Sequence, residues 1–138
     1  MMKTKSIRQT ISIRADPHDV YEALMDSRKH SRLTGDRASI SRRPHGRISA
    51  HDGHIVGTNL EIVPDKRIVQ EWRSDEPCWP EGHFSRLTVS LARKRTGTQL
   101  RLFQSGVPER CLRTIKRGWY EYYWSPLKKM LETIEVGL

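Results

Sequence analysis

The stretch R-G-W-Y-E-Y-Y-W-S-P-L-K, Arg117 to Lys128, decides the fold, because its aromatics recur at helical spacing around an internal proline. Extended in both directions, the pattern runs through Leu112, Ile115, Trp119, Tyr122, Tyr123, Leu127, Met130 and Ile134 at intervals of three and four. That spacing predicts one long helix, from just after Val107-Pro108 to about Val136, with a broad apolar and aromatic face. Pro126 removes a backbone donor and is expected to kink the helix after Tyr123, with Ser125 re-capping the second half. A helix with such a face needs a large apolar partner.

The rest of the chain reads as that partner. Ile7, Gln9, Ile11 and Ile13 alternate with polar residues, which is the period of a strand. Asp16-Pro17 then opens a helix, with Asp16 at the N-cap and Pro17 at the first helical position, where its missing N–H costs nothing. A second short helix is expected through Ser27–Leu33, stopped by Gly35. From Arg37 to Ser105, turn signals at Pro44-His45-Gly46, Asp52-Gly53, Pro64-Asp65, Pro80-Glu81-Gly82 and Thr96-Gly97 cut the segment into six strands. Asp52-Gly53 favours a tight two-residue hairpin. The expectation is an α+β, helix-grip fold: a curved seven-stranded antiparallel sheet wrapped around the long C-terminal helix, with two short helices after the first strand. Residues 1–138 are expected to form a single domain.

Composition narrows the function classes. No apolar run approaches the ~20 residues that span a bilayer. The opening M-M-K-T-K-S-I-R-Q-T has cations without an apolar core and does not read as a secretory signal. Cys78 and Cys111 lie far apart and are read as reduced thiols of a cytoplasmic protein. The formal charge of +9 suits attraction to an acidic surface. No zinc-finger spacing or RNA-binding aromatic strand accompanies it, which argues against nucleic acid as partner.

Four segments then carry a resemblance: Gly57–Arg73 (G-T-N-L-E-I-V-P-D-K-R-I-V-Q-E-W-R), Trp79–Val89 (W-P-E-G-H-F-S-R-L-T-V), Gly106–Glu109 (G-V-P-E) and Arg117–Lys128. In this order they resemble the activator of 90-kDa heat-shock-protein ATPase homologue family, C-terminal-domain type, within the START-like, birch-pollen-allergen-like superfamily. The resemblance implies the helix-grip fold, a co-chaperone-like or stress-linked role without catalysis, and an Hsp90-type chaperone or another acidic protein as partner. The wider superfamily also contains carriers and sensors of small apolar ligands, and cyclases.

In an antiparallel sheet alternate turns share an end. This logic puts the Asp52-Gly53 turn, the Pro80-Glu81-Gly82 turn and the start of the long helix together, at the mouth of a groove between helix and sheet. Its expected lining is Leu60, Trp72, Leu87, Leu102 and Gln104 from the sheet, and Trp119, Tyr122 and Tyr123 from the helix. Gln70 is a further polar group there, and Trp79 and Phe84 are expected at the rim. Such a groove suits a small apolar molecule. Arg113, Lys116 and Arg117 form the expected partner-binding basic face.

Catalytic patterns are not specified: there is no nucleophile elbow, no cysteine–histidine pairing, no phosphate loop and no dinucleotide fingerprint. The one enzymatic reading left open is a cyclase- or hydrolase-like activity within the groove. No cofactor is implied. His51, His54 and His83 share one end of the sheet and could in principle ligate zinc, but loop histidines read first as surface residues, and no metal is assigned. Monomer and dimer are both compatible with the sequence.

Overall fold

The computed structural model describes residues 2–136 and side chains through Glu132; Ile134, expected on the apolar helix face, lies outside the described side chains. Strand β1 (Thr4–Ile13) is followed by helices α1 (Pro17–Met25) and α2 (Ser27–Thr34). Six strands follow: β2 (Ser39–Ile40), β3 (Arg47–Ala50), β4 (Ile55–Val63), β5 (Arg67–Ser74), β6 (Ser85–Lys94) and β7 (Gly97–Pro108). The C-terminal helical segment comprises α3 (Leu112–Trp119), a widened turn over Tyr120–Trp124, and α4 (Ser125–Val136). All seven strands join one antiparallel sheet, as the strand pattern predicts, and their order is β1-β7-β6-β5-β4-β3-β2.

Local chemistry sets the boundaries. Asp16 and Pro17 do start α1, although the Asp16 carboxylate pairs with Arg93 at 2.9 Å instead of capping the helix. Asp26 caps α2 by accepting from Lys29 N, and Gly35 ends it with φ 84°, a left-handed conformation that glycine adopts without strain. The β3–β4 connection corrects the expected two-residue hairpin. Ala50 pairs with Ile55, so four residues, His51 to His54, make the turn, and His54 N–H bonds back to His51 O at 3.2 Å.

The helix meets the sheet through paired polar contacts inside an apolar core. Trp119 Nε1–H donates to Gln104 Oε1 at 2.9 Å, and Trp124 Nε1–H donates to Gln9 Oε1 at 2.7 Å. Gln104 Nε2 in turn donates to Ser85 Oγ, which donates to the Trp72 carbonyl. Buried indoles need such partners, and the glutamines of β1 and β7 supply them.

Pro126 does not break the helix in the expected way. The turn before it widens, with Ser125 N–H bonding Tyr120 O five residues back. This π-type turn accommodates the missing donor and the proline ring. It also changes which aromatics face inward: Trp124 is 1% exposed whereas Tyr122 is 46% exposed.

The reading of Cys78 and Cys111 as reduced thiols is overturned. They form a disulfide, with Cα atoms 5.6 Å apart across a separation of 33 residues. Cys78 lies in the β5–β6 loop and Cys111 in the turn that opens the C-terminal helical segment. The fold brings these two connections together, which their distance along the chain conceals. The cysteines therefore lend no support to a cytoplasmic location. Among the described residues no helix is long and apolar enough to cross a membrane.

Candidate functional site

Between helix and sheet lies a cavity of about 280 Å³. Strand β5 builds one wall, because Ile68, Gln70, Trp72 and Ser74 alternate onto its inner face. Leu87 and Val89 of β6 and Ile48 and Ala50 of β3 continue the wall. The helical segment adds Ile115, Gly118, Trp119, Tyr122, Tyr123 and Trp124.

Of the residues expected to line a groove, Trp72, Leu87, Trp119, Tyr122 and Tyr123 meet in this cavity, as does Gln70. The others lie elsewhere. Leu60 occupies a bulge in β4, between Asn59, which pairs with Gln70, and Glu61, which pairs with Val69. Leu102 and Gln104 are buried on β7 within the helix–sheet core. Trp79 is buried against Trp72, with ring centroids 5.7 Å apart and planes 24° from parallel, and donates its indole N–H to His83 O. Phe84 is exposed. Trp72 thus stands between Trp79 and Trp119, whose centroid is 6.1 Å away, and Trp119 stacks on Trp124 at 5.4 Å. Arg113, Lys116 and Arg117 are exposed on α3, with Arg117 3.8 Å from Glu121.

The most ordered polar feature of the cavity is one the sequence reading missed. Tyr123 Oη lies 2.9 Å from His30 Nε2 and 3.1 Å from His51 Nε2. His30 Nδ1 lies 2.9 Å from the Leu24 carbonyl, which can only accept, so that nitrogen carries the proton. Neutral His30 then accepts at Nε2 from the Tyr123 hydroxyl, and the Tyr123 oxygen accepts from His51 Nε2–H. The hydrogen-bond network assigns each proton. His51 Nδ1 is 3.9 Å from Asp36 Oδ2. His30 sits in the cationic run R-K-H-S-R and reads as solvated helix; the weak signal is Leu33 three residues on, the other buried position of α2.

Burial lowers the pKa of His30, opposed by its bond to the Leu24 carbonyl, and burial lowers that of His51, opposed by Asp36. Burial pushes the Tyr123 hydroxyl up. Depressed imidazoles leave stability intact above their unfolded pKa of about 6.5. Stability is lost as pH falls from there toward the folded pKa, because the unfolded chain binds more protons. His18 and His54 are exposed and paired with Asp65 and Asp75, which raise their pKa. Their contribution has the opposite sign: it is present below about pH 6.5 and is lost as pH rises through the raised values. Salt screens these surface pairs. At high salt the melting temperature is therefore expected to fall on acidification below about pH 6.5, more steeply than in a His30→Gln/His51→Gln variant. Equal slopes in the two proteins would remove the buried pair as the cause.

The three loop histidines have separate partners. His51 engages Tyr123, His54 pairs with Asp75 at 2.7 Å, and His83 Nε2 donates to the Gly106 carbonyl. Among the described residues no group of three or more histidine, cysteine or acidic side chains is arranged to hold a metal ion.

Comparison with known proteins places this architecture. The chain is 28% identical over 113 residues to the human protein named activator of 90 kDa heat shock protein ATPase homolog 1, covering 82% of this chain and 33% of that relative. The chain thus spans about a third of the length of the curated relatives it matches first. The crystal structure of an HSP90 activator from Plasmodium falciparum superposes with a TM-score of 0.81 at 23% identity, covering 94% of this chain and 96% of that one. The solution structure of the Aha1 dimer from Colwellia psychrerythraea gives 0.77 at 20% identity, covering 93% and 96%. Residues 14–132 match the family model described as Activator of Hsp90 ATPase homolog 1-like protein, and the chain belongs to that family.

Proposed function

We propose that this chain is a non-enzymatic, co-chaperone-like module that docks on an Hsp90-type chaperone. The observation that carries this reading is the family match over residues 14–132. The formal charge of +9 supports it, because a basic surface speeds encounter with an acidic partner and selects for it. The exposed Arg113, Lys116 and Arg117 of α3 are the proposed contact, and the reading carries a cytoplasmic location with it. Binding to an Hsp90-type chaperone is expected to weaken with salt. Reversal of all three charges to glutamate should weaken it about tenfold or more while the melting temperature stays within a few degrees. Unchanged affinity in the folded variant would reject this face.

The cavity supports a second reading, the binding of a small apolar molecule. A space of about 280 Å³ between aromatic walls sits near the lower end of small-molecule pocket sizes. The two readings are compatible, since the turns at the cavity rim adjoin the start of α3.

A further inference from the structure

The polar atoms of the cavity wall divide into those already engaged and those left over. Tyr123 is engaged twice, donating to His30 and accepting from His51, so its hydroxyl has little left for a ligand. Ser74 Oγ accepts from Glu76 N–H. Trp79, Trp119 and Trp124 each donate their indole N–H to a protein acceptor. Trp72, 6% exposed, is the one tryptophan whose N–H has no acceptor among the described residues.

Two residues away on the same strand face is a complementary atom. Asn59 Nδ2 donates to the Ser41 and Arg43 carbonyls, which fixes the orientation of that amide. Asn59 Oδ1 must then accept from Gln70 Nε2, at 2.9 Å. The amide of Gln70 is thereby fixed too. Its Oε1 is left without a donor among the described residues, on a side chain 8% exposed that lines the cavity. Neither atom is sealed in the core, so on neighbouring inward positions of β5 a donor and an acceptor remain open to a partner that enters the cavity.

Charge narrows that partner further. None of the chain's 25 lysines and arginines lines the cavity, although the protein is strongly basic. The carboxylates of Asp36 and Glu76 are at its rim, and the rim imidazole of His54 is taken by Asp75. An anion would lose its hydration without gaining a cation. An ammonium group would suit Gln70 but would face the positive edge of the Trp72 N–H.

The geometry points to a neutral apolar molecule carrying one hydroxyl, an alcohol or phenol, that accepts from Trp72 Nε1–H and donates to Gln70 Oε1. This rests on the small-molecule reading of the cavity and names the ligand class. A matched series on one apolar body tests it by titration calorimetry of the full chain at neutral pH: naphthalene, naphthol, methoxynaphthalene, naphthoate and naphthylmethylammonium. Naphthol is expected to bind about tenfold more tightly than naphthalene or methoxynaphthalene, and the two charged probes more weakly than naphthalene. Gln70→Leu and Trp72→Phe should each erase most of naphthol's advantage while naphthalene still binds. The probe series on the unaltered chain decides the matter even if a variant fails to fold. Naphthoate or the ammonium probe binding as tightly as naphthol would overturn the hydroxyl assignment and leave the small-molecule reading standing. Silence from all five probes would overturn both.

Discussion

Replacing Trp119 with alanine is expected to destabilise the protein by about 4 kcal/mol, within the ~3–5 kcal/mol range for removing a buried tryptophan. The ring joins three others: Trp72, Tyr123 at 4.8 Å and Trp124. Its loss also strands Gln104 Oε1, which has no other donor among the described residues. An unsatisfied buried acceptor alone costs about 1–3 kcal/mol, which places the total toward the upper part of the range. Trp119→Phe separates the two contributions, since it keeps most of the apolar area and loses the N–H. It should cost roughly 1–2 kcal/mol. Chemical denaturation of both variants checks this, and a Trp119→Ala loss below about 2 kcal/mol would mean that the helix repacks without its central ring.

The second large effect is expected at Gly57, where alanine should cost about 3 kcal/mol, the upper part of the range for overpacking. Gly57 pairs with Trp72 across β4 and β5, and its backbone runs against that neighbour. A Cβ there would fall 2.1 Å from Glu71 O and 2.7 Å from Trp72 Cβ, so the strands would have to part. Gly35 is the comparison. It has φ 84° but nothing within 4 Å of an added Cβ, so alanine there meets backbone strain of only about 1–2 kcal/mol. Equal losses at the two positions would show that the close approach at Gly57 relaxes cheaply. Because Trp72 lines the cavity, Gly57→Ala should also disturb probe binding.

The elements legible in the sequence are those with uninterrupted periodicity. The alternation of Ile7, Gln9, Ile11 and Ile13 reappears as alternating burial along β1. Pro17 and Gly35 mark the start and the end of the two short helices because proline and glycine geometry are local rules. What was not legible depended on breaks in period or on distant pairing. A helix of 3.6 residues per turn puts positions five apart about 140° away from each other. On that ruler Tyr122 belongs to the inner face and Trp124 does not; the widened turn stacks Trp124 on Trp119 and leaves Tyr122 largely exposed. In the same way the bulge at Leu60 shifts the register of β4, so that Asn59 is the buried residue. His30 and His51 become partners only through Tyr123, which lies 93 and 72 residues further along the chain. Leu33 hints only that His30 is buried, and no residue near either histidine announces the pairing.

The Cys78–Cys111 bond also has a mechanical meaning. It closes a covalent ring running from the β5–β6 loop through the β6–β7 hairpin to the turn before α3. It joins the loop that follows Glu76 to the turn that precedes Thr114, two residues that line the cavity. The neighbouring turn that carries His51 and His54 has no covalent tie among the described residues: His51 is held to the helix by its hydrogen bond to Tyr123, and His54 to the loop before Cys78 by Asp75.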